Sequence, residues 1–227
     1  MKAIVLAAGR GERLRPLTDA TPRPLLRAGG RALIDWQVEA LVAGGFDQLV
    51  VNHAHLGEQI VEALGDGARF GARILYSAEN PALETAGGIA RALLLLGDRP
   101  FAAVSADINT DYDYANLRRA AEAIERDPAG RAAHLVLVRN PDWHPGGDMG
   151  LVDGRITRDK PWFTYASMGV FHPGIFRDVD PHAPLRMFPW LHTYTAQRRV
   201  TGEVFEGAWD NVGTAAQLAD LDRRLTE

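Results

Sequence analysis

Residues 1–25 read MKAIVLAAGRGERLRPLTDATPRPL, and the fold of the chain follows from this opening. The apolar run Ala3–Ala8 enters Gly9-Arg10-Gly11 directly, with no spacer between the hydrophobic stretch and the turn. Such a run reads as a parallel strand buried on both faces, and the glycines let the chain turn and bring backbone N–H groups close to a ligand. Arg10, Arg13, Arg15 and Arg23 place up to four guanidinium groups beside that turn, each able to hold an oxyanion through paired hydrogen bonds. Strand, glycine turn and clustered arginines together point to a phosphate site. The plainer alternative is a flexible loop carrying solvent-facing arginines.

Outward from this segment, the hydrophobic pattern predicts strands over 48–52, 72–76 and 101–105, with helices over 32–43, 57–64 and 89–96 between them. This is βαβ repetition, so the expected fold class is α/β: a Rossmann-like, open, mostly parallel (mixed) sheet flanked by helices on both faces. Ligands of such sheets bind beyond the C-terminal ends of strands. The Gly9 turn, a turn at Ala86-Gly87-Gly88 within a loop over 81–88, and Asp107 all fall at ends of that kind.

The second half departs from the repeat. A helix is predicted over 114–126, strands over 134–138, 163–171 and 200–206, and a terminal helix over 215–225. Asp153-Gly154 joins two short runs, 150–152 and 155–157, as a hairpin. This hairpin is expected to form a small lid or platform over the ligand edge. Residues 185–197 read as one helix despite Pro189, and 209–214 read as a loop. Residues 1–227 are expected to form one domain.

Composition narrows the function classes. Lys and Arg total 25 against 29 Asp and Glu, a formal charge of -4, which argues against a general nucleic-acid surface but allows a small phosphorylated substrate. With no cysteine, disulfides, thiolate metal sites and a thiol nucleophile are excluded. The opening does not resemble a signal peptide and no stretch approaches membrane-spanning length, so no membrane association and a cytoplasmic location are expected. Nothing in the helical segments demands a dimer. The seven histidines show no HExxH spacing, and no GxSxG elbow or Walker A motif occurs. The Gly9 loop also fails GxGxxG, because Arg13 and Leu14 follow Glu12.

Two further segments carry candidate chemistry. Asp107 follows an apolar strand immediately; carboxylate oxygens suit Mg²⁺, which commonly takes one or two carboxylates plus substrate phosphates. The alternative for Asp107 is a helix or turn cap. In Gly207–Thr214, Asp210 is either a cation ligand or a cap, Asn211 offers a neutral carbonyl oxygen, and Thr214 is a good helix N-cap.

LAAGRGERLRPLT with TPRPL resembles the opening signature of the sugar-1-phosphate nucleotidyltransferases, which join a nucleoside triphosphate to a sugar 1-phosphate. The resemblance continues through Leu83–Gly88, Ala106-Asp107 and Trp209–Thr214, in order over essentially the whole chain. Within the family the chain is most similar to the short bacterial N-acetylmuramate 1-phosphate uridylyltransferases of cell-wall recycling, with mannose-1-phosphate guanylyltransferases the nearest rival. The resemblance implies a triphosphate cradle at Ala8, Gly9 and Gly11, with Arg13 and Arg23 beside the transferring phosphate. It implies Gly87 at the base, and Glu84, Thr164, Ser167 and Gly169 on the sugar-phosphate side. Mg²⁺ is the implied cofactor, on Asp107 with Asn211 or Asp210.

Two positions depart from the family pattern. Arg23 stands where the family has lysine, which exchanges a compact ammonium for a planar fork. Asn211 stands where a second metal aspartate aligns. A cytidylyltransferase for another phosphorylated small molecule and a non-catalytic nucleotide-binding module are the alternative functions.

Overall fold

Ala3, Ile4 and Val5 have no exposed surface, as an apolar strand with neighbours on both edges and layers on both faces requires. The computed structural model describes residues 1–227. The chain runs β1 (Lys2–Leu6), α1 (Leu17–Ala20), β2 (Arg27–Ala28), β3 (Arg31–Ala32), α2 (Leu33–Ala43), β4 (Gln48–His53), α3 (Gly57–Leu64), β5 (Arg73–Ala78), α4 (Glu84–Leu96), β6 (Phe101–Ser105), β7 (Ile108–Thr110) and α5 (Ala115–Arg126). It continues through β8 (Ala133–Arg139), β9 (Gly150–Val152), β10 (Arg155–Thr157), β11 (Phe163–Phe171), α6 (Met187–Trp190), α7 (His192–Ala196), β12 (Val200–Val204), β13 (Trp209–Asn211) and α8 (Ala215–Thr226).

Nine strands form one open mixed sheet in the order β5-β4-β1-β6-β11-β8-β12-β10-β9. The β5-β4-β1-β6 half is parallel, β11 runs antiparallel between β6 and β8, and β12 is parallel to β8. Side chains alternate across β1. Ala3 and Val5 join a 27-residue cluster with α2, α3 and α5, whereas Ile4 joins a 21-residue cluster with α4. Two cores of similar size place helices on both faces, so the strand ends are where ligands have access.

Four local expectations are corrected. The β9–β10 hairpin forms the outermost two strands of the main sheet and is not a lid laid across it, because Arg155 pairs with Thr201 of β12. Residues 185–197 do not form one helix, since Arg186 is extended and Phe188, just before Pro189, adopts φ -110 and ψ 137, so continuous helical turns begin only at Pro189. The pyrrolidine ring disfavours α geometry at the preceding residue. The presumed loop over 209–214 begins as β13, paired with β7, a strand too short for a period to register. Helix α4 starts at Glu84, so Ala86-Gly87-Gly88 lie in its first turns and not in a loop. The amides of Ala86 and Gly87 both donate to the Leu185 carbonyl, which supplies the missing helix-end partner from a distant segment.

Candidate active site

At the C-terminal edge of β1 and β6, one side chain links the glycine turn to the aspartate. Arg23 Nη1 lies 2.6 Å from Asp107 Oδ2, and its Nη2 lies only 2.8 Å from where a Cβ on Gly9 would sit. Gly11 has φ +69, and a Cβ there would meet the Arg23 Cβ and the Thr18 methyl at 3.1 Å each. Both glycines therefore serve close approach, and Gly11 also serves a left-handed turn. Asp107 is 5% exposed; Ser105 Oγ donates to its Oδ1, and its own carbonyl accepts from Val212 N at 2.8 Å.

The other arginines divide. Arg10 donates to the Thr18 carbonyl at 2.5 Å and to Asp19 at 2.6 Å, and Arg15 pairs with the same carboxylate at 3.0 Å. The Arg10 hydrogen bond is the main reason the Asp19 carboxyl lies below its ordinary range. Arg13 instead packs its guanidinium over Gly213, 2.8 Å from where a Cβ there would lie. Leu14, Leu26, Leu33, Val212 and Leu221 form a separate small core beneath it, which docks the arginine segment on α8. Of the four arginines, Arg23 touches the aspartate and Arg13 reaches the C-terminal loop.

Two adjoining cavities, about 390 and 520 Å³, share Ala8, Arg10 and Ala82 along this edge; the first is also lined by Gly9, Arg23 and Glu84. Their combined size suits a substrate of several hundred ångström cubed. A third cavity, about 400 Å³, lies at the opposite end of the strands around Lys2 and Gly97. There Arg99 is already paired with both oxygens of Glu125, at 2.9 Å each. The C-terminal edge is the candidate site on topological grounds.

A buried polar network supports that edge, and the sequence pattern had not flagged it. Asn52 Oδ1 accepts from Ala7 N at 2.8 Å, Asn52 Nδ2 donates to Glu79 Oε1 at 2.7 Å, and Leu83 N donates to Glu79 Oε2 at 2.7 Å. Asn52 and Glu79 are 2% and 4% exposed. Burial pushes the Glu79 carboxyl above its ordinary value, partly offset by the Leu83 and Asn52 hydrogen bonds. Only a polar residue inside the apolar run of β4 and another just after β5 hinted at it.

Glu79→Gln is expected to cost about 1–3 kcal/mol, because one buried donor then faces an amide N–H. For a chain of this size that is roughly 2–10 °C in Tm. Since the folded pKa is raised, the stability linked to glutamate ionisation is fully present below the unfolded value, about pH 4.3, and is lost as pH rises through the folded value. The deficit of the glutamine variant, followed by thermal melts across pH, should therefore shrink as pH rises.

The remaining candidate residues spread around this centre. β13 pairs Asn211 with Ile108 and Asp210 with Asn109, so the strand carrying both runs alongside the residues that follow Asp107. The Asp210 carboxylate is held by Arg224 at 2.5 Å. Glu84 lines the cavity with φ +60, an uncommon conformation for a side-chain-bearing residue, and its carboxylate lies 3.6 Å from Arg186. Ser167 has φ +59 in the β11 bulge, where pairing shifts between Tyr165 and Gly169.

Thr164 is buried and donates to Asn140 Oδ1 at 3.0 Å. Gly169 is buried between Ala103 and Leu135. The Gly87 amide is committed to Leu185. Thus Ala8, Gly9, Gly11, Arg23 and Asp107 come together with Glu84 on the same edge, while Gly87, Thr164 and Gly169 lie inside the packing.

His53 packs against Gly57 and edge-on to Tyr76, and His55 Nε2 lies 2.9 Å from the Thr18 carbonyl; neither joins a metal-like cluster. No group of three or more His, Asp or Glu side chains could hold a metal ion by protein ligands alone. Asp107, a hard oxygen donor joined to the glycine turn through Arg23, nonetheless fits a Mg²⁺ ion whose remaining ligands are substrate phosphates. No helix is long and apolar enough to cross a membrane.

Residues 2–227 match the model of the nucleotidyl transferase family. The chain is 43% identical over 226 residues to the N-acetylmuramate alpha-1-phosphate uridylyltransferase of Neisseria meningitidis, covering 97% of this chain and 96% of that protein. It is 33% identical over 237 residues to the enzyme of the same name from Caulobacter vibrioides, with 99% and 97% coverage. Among solved structures, a Bacillus anthracis protein assigned as a glucose-1-phosphate thymidylyltransferase superposes with a TM-score of 0.85 at 21% identity, covering 100% of this chain and 96% of the other.

Proposed function

This chain belongs to the nucleotidyl transferase family and is a sugar-1-phosphate nucleotidyltransferase, and from that premise we propose that it transfers UMP from UTP to N-acetylmuramate 1-phosphate. The observation that carries the choice of substrates is the similarity, end to end, to two uridylyltransferases acting on that sugar phosphate.

A phosphate oxygen of the sugar 1-phosphate attacks the α-phosphorus of UTP in line. The new O–P bond forms as the α–β bridge breaks, and pyrophosphate leaves with the bonding electrons. No protein nucleophile is needed, so the residues act by positioning and by stabilising charge. The amides of Ala8, Gly9 and Gly11 hold the triphosphate, and Arg13 and Arg23 bind the oxygens that gain charge. Glu84 and Ser167 face the sugar, with Thr164 and Gly169 holding the strand that presents Ser167. Gly87 sets the base side by fixing the start of α4. Asp107, with Asn211 or Asp210 completing the protein side, would hold Mg²⁺, which would supply neutralisation of the phosphate charge.

The test is a matrix of UTP, CTP, GTP, dTTP and ATP against N-acetylmuramate 1-phosphate, mannose 1-phosphate and glucose 1-phosphate, followed by pyrophosphate release. The expected result is the highest kcat/KM for UTP with N-acetylmuramate 1-phosphate. A guanine or thymine preference, or a hexose 1-phosphate turned over faster, would overturn this pairing.

A further inference from the structure

The carboxylate best placed to take a cation is already occupied by the protein itself. Asp107 Oδ1 accepts from Ser105 Oγ, and Oδ2 accepts from Arg23 Nη1 at 2.6 Å. The Arg23 side chain is 18% exposed and that of Asp107 7%, so solvent screens the pair little. The same guanidinium lies over Gly9 through Nη2, on the face of the loop that a triphosphate would approach. Its buried Nε has no hydrogen-bond partner. One side chain therefore covers both the phosphate loop and the carboxylate, while keeping a donor unsatisfied.

We propose that Arg23 is a counter-ion latch on Asp107: it competes with a divalent cation for the carboxylate in the ligand-free protein, and the nucleoside triphosphate draws it away. This rests on the nucleotidyl-transfer reading of the site. A dication and a guanidinium repel each other at a shared carboxylate, so a free cation binds only the fraction of molecules in which the latch is open. A triphosphate offers Arg23 a more highly charged partner and satisfies the free Nε. Cation and nucleotide then bind with positive coupling, each raising the affinity for the other by the same factor. The planar fork makes this possible where an ammonium would not, because it can span Asp107 and the loop at once.

Mn²⁺ binding to the full chain, counted by the electron paramagnetic resonance of free Mn²⁺, tests the latch without turnover. Arg23→Gln is expected to bind Mn²⁺ about tenfold more tightly than wild type in the absence of nucleotide, the equivalent of one modest ion pair removed. Arg23→Lys, which keeps the charge as a single point, should lie between them, and remains informative should the glutamine variant not fold. Asp107→Asn should abolish the Mn²⁺ binding that depends on residue 23. Equal affinity in wild type and both Arg23 variants, including no measurable binding by any, would overturn the latch. Turnover by the wild type would be untouched by that result, and conversely a failure of uridylyl transfer would leave a Mn²⁺ difference standing.

Discussion

Asp107→Asn is expected to lower kcat for nucleotidyl transfer by roughly 10³-fold, in line with the loss of a preorganised charge that acts on a transferring phosphoryl group. The substitution keeps the shape of the side chain and its contact with Ser105, so the β6–β7 turn stays in place. It removes the negative charge that Arg23 meets at 2.6 Å. Because that pair is partly buried, a stability loss of about 1–3 kcal/mol accompanies the change, roughly 2–10 °C in Tm. The fold is thus retained while turnover collapses. Pyrophosphate release at saturating substrate, read beside a thermal melt, separates the two effects. A folded Asp107→Asn protein with wild-type kcat would remove Asp107 from the chemistry.

Gly88→Ala should produce the largest loss of stability from the smallest change. Glycine to alanine inside a helix ordinarily gains about 1 kcal/mol. Here the added Cβ would lie 2.5 Å from Glu79 Oε1 and 2.8 Å from Asn52 Nδ2. Both atoms are buried and bonded to each other, and through Asn52 to the end of β1 and through Glu79 to the start of α4. Relief requires either breaking this network, at about 1–3 kcal/mol for each group left unsatisfied, or moving the helix against a packed sheet, at a similar cost. These outweigh the propensity gain, so a net loss of about 2–5 kcal/mol is expected, or roughly 5–15 °C in Tm. Gly146→Ala, where no atom lies within 4 Å, serves as the control and should change Tm little. An unchanged or raised Tm in Gly88→Ala would show that the network yields freely and does not hold the loop.

The same residue shows where sequence reading stopped. Two adjacent glycines marked a turn by their conformational freedom, whereas α4 uses them for close contact. Gly87 passes within 2.6 Å, at its missing Cβ, of the Ala183 carbonyl, and Gly88 makes room for Glu79. Propensity favours ending a helix at glycine, and packing against a distant segment overrides it. At Pro189 the reverse holds: the helical pattern after it is real, but proline keeps Phe188 extended, so the helix does not begin as early as the pattern suggests.

Arg23 was legible as an arginine near a glycine turn and as a departure from the family's lysine. That it meets Asp107, 84 positions later, was not. Asn211 was likewise legible as a polar residue in a loop, but its place beside Ile108 depends on pairing between two three-residue strands.

The sequence by itself determined the α/β class, the strands and helices of the parallel half and the family, because burial on both faces of a parallel strand leaves continuous apolar runs and the turns between them need particular residues. Tertiary structure alone decided which arginine faces the aspartate, which glycines serve packing, and where the hairpin joins the sheet. Those outcomes depend on contacts between residues far apart in the chain, and such contacts leave no periodic trace in either partner's neighbourhood. Arg10 and Arg23 stand in the same short segment, yet one is neutralised by Asp19 and the other is held over the glycine turn by Asp107.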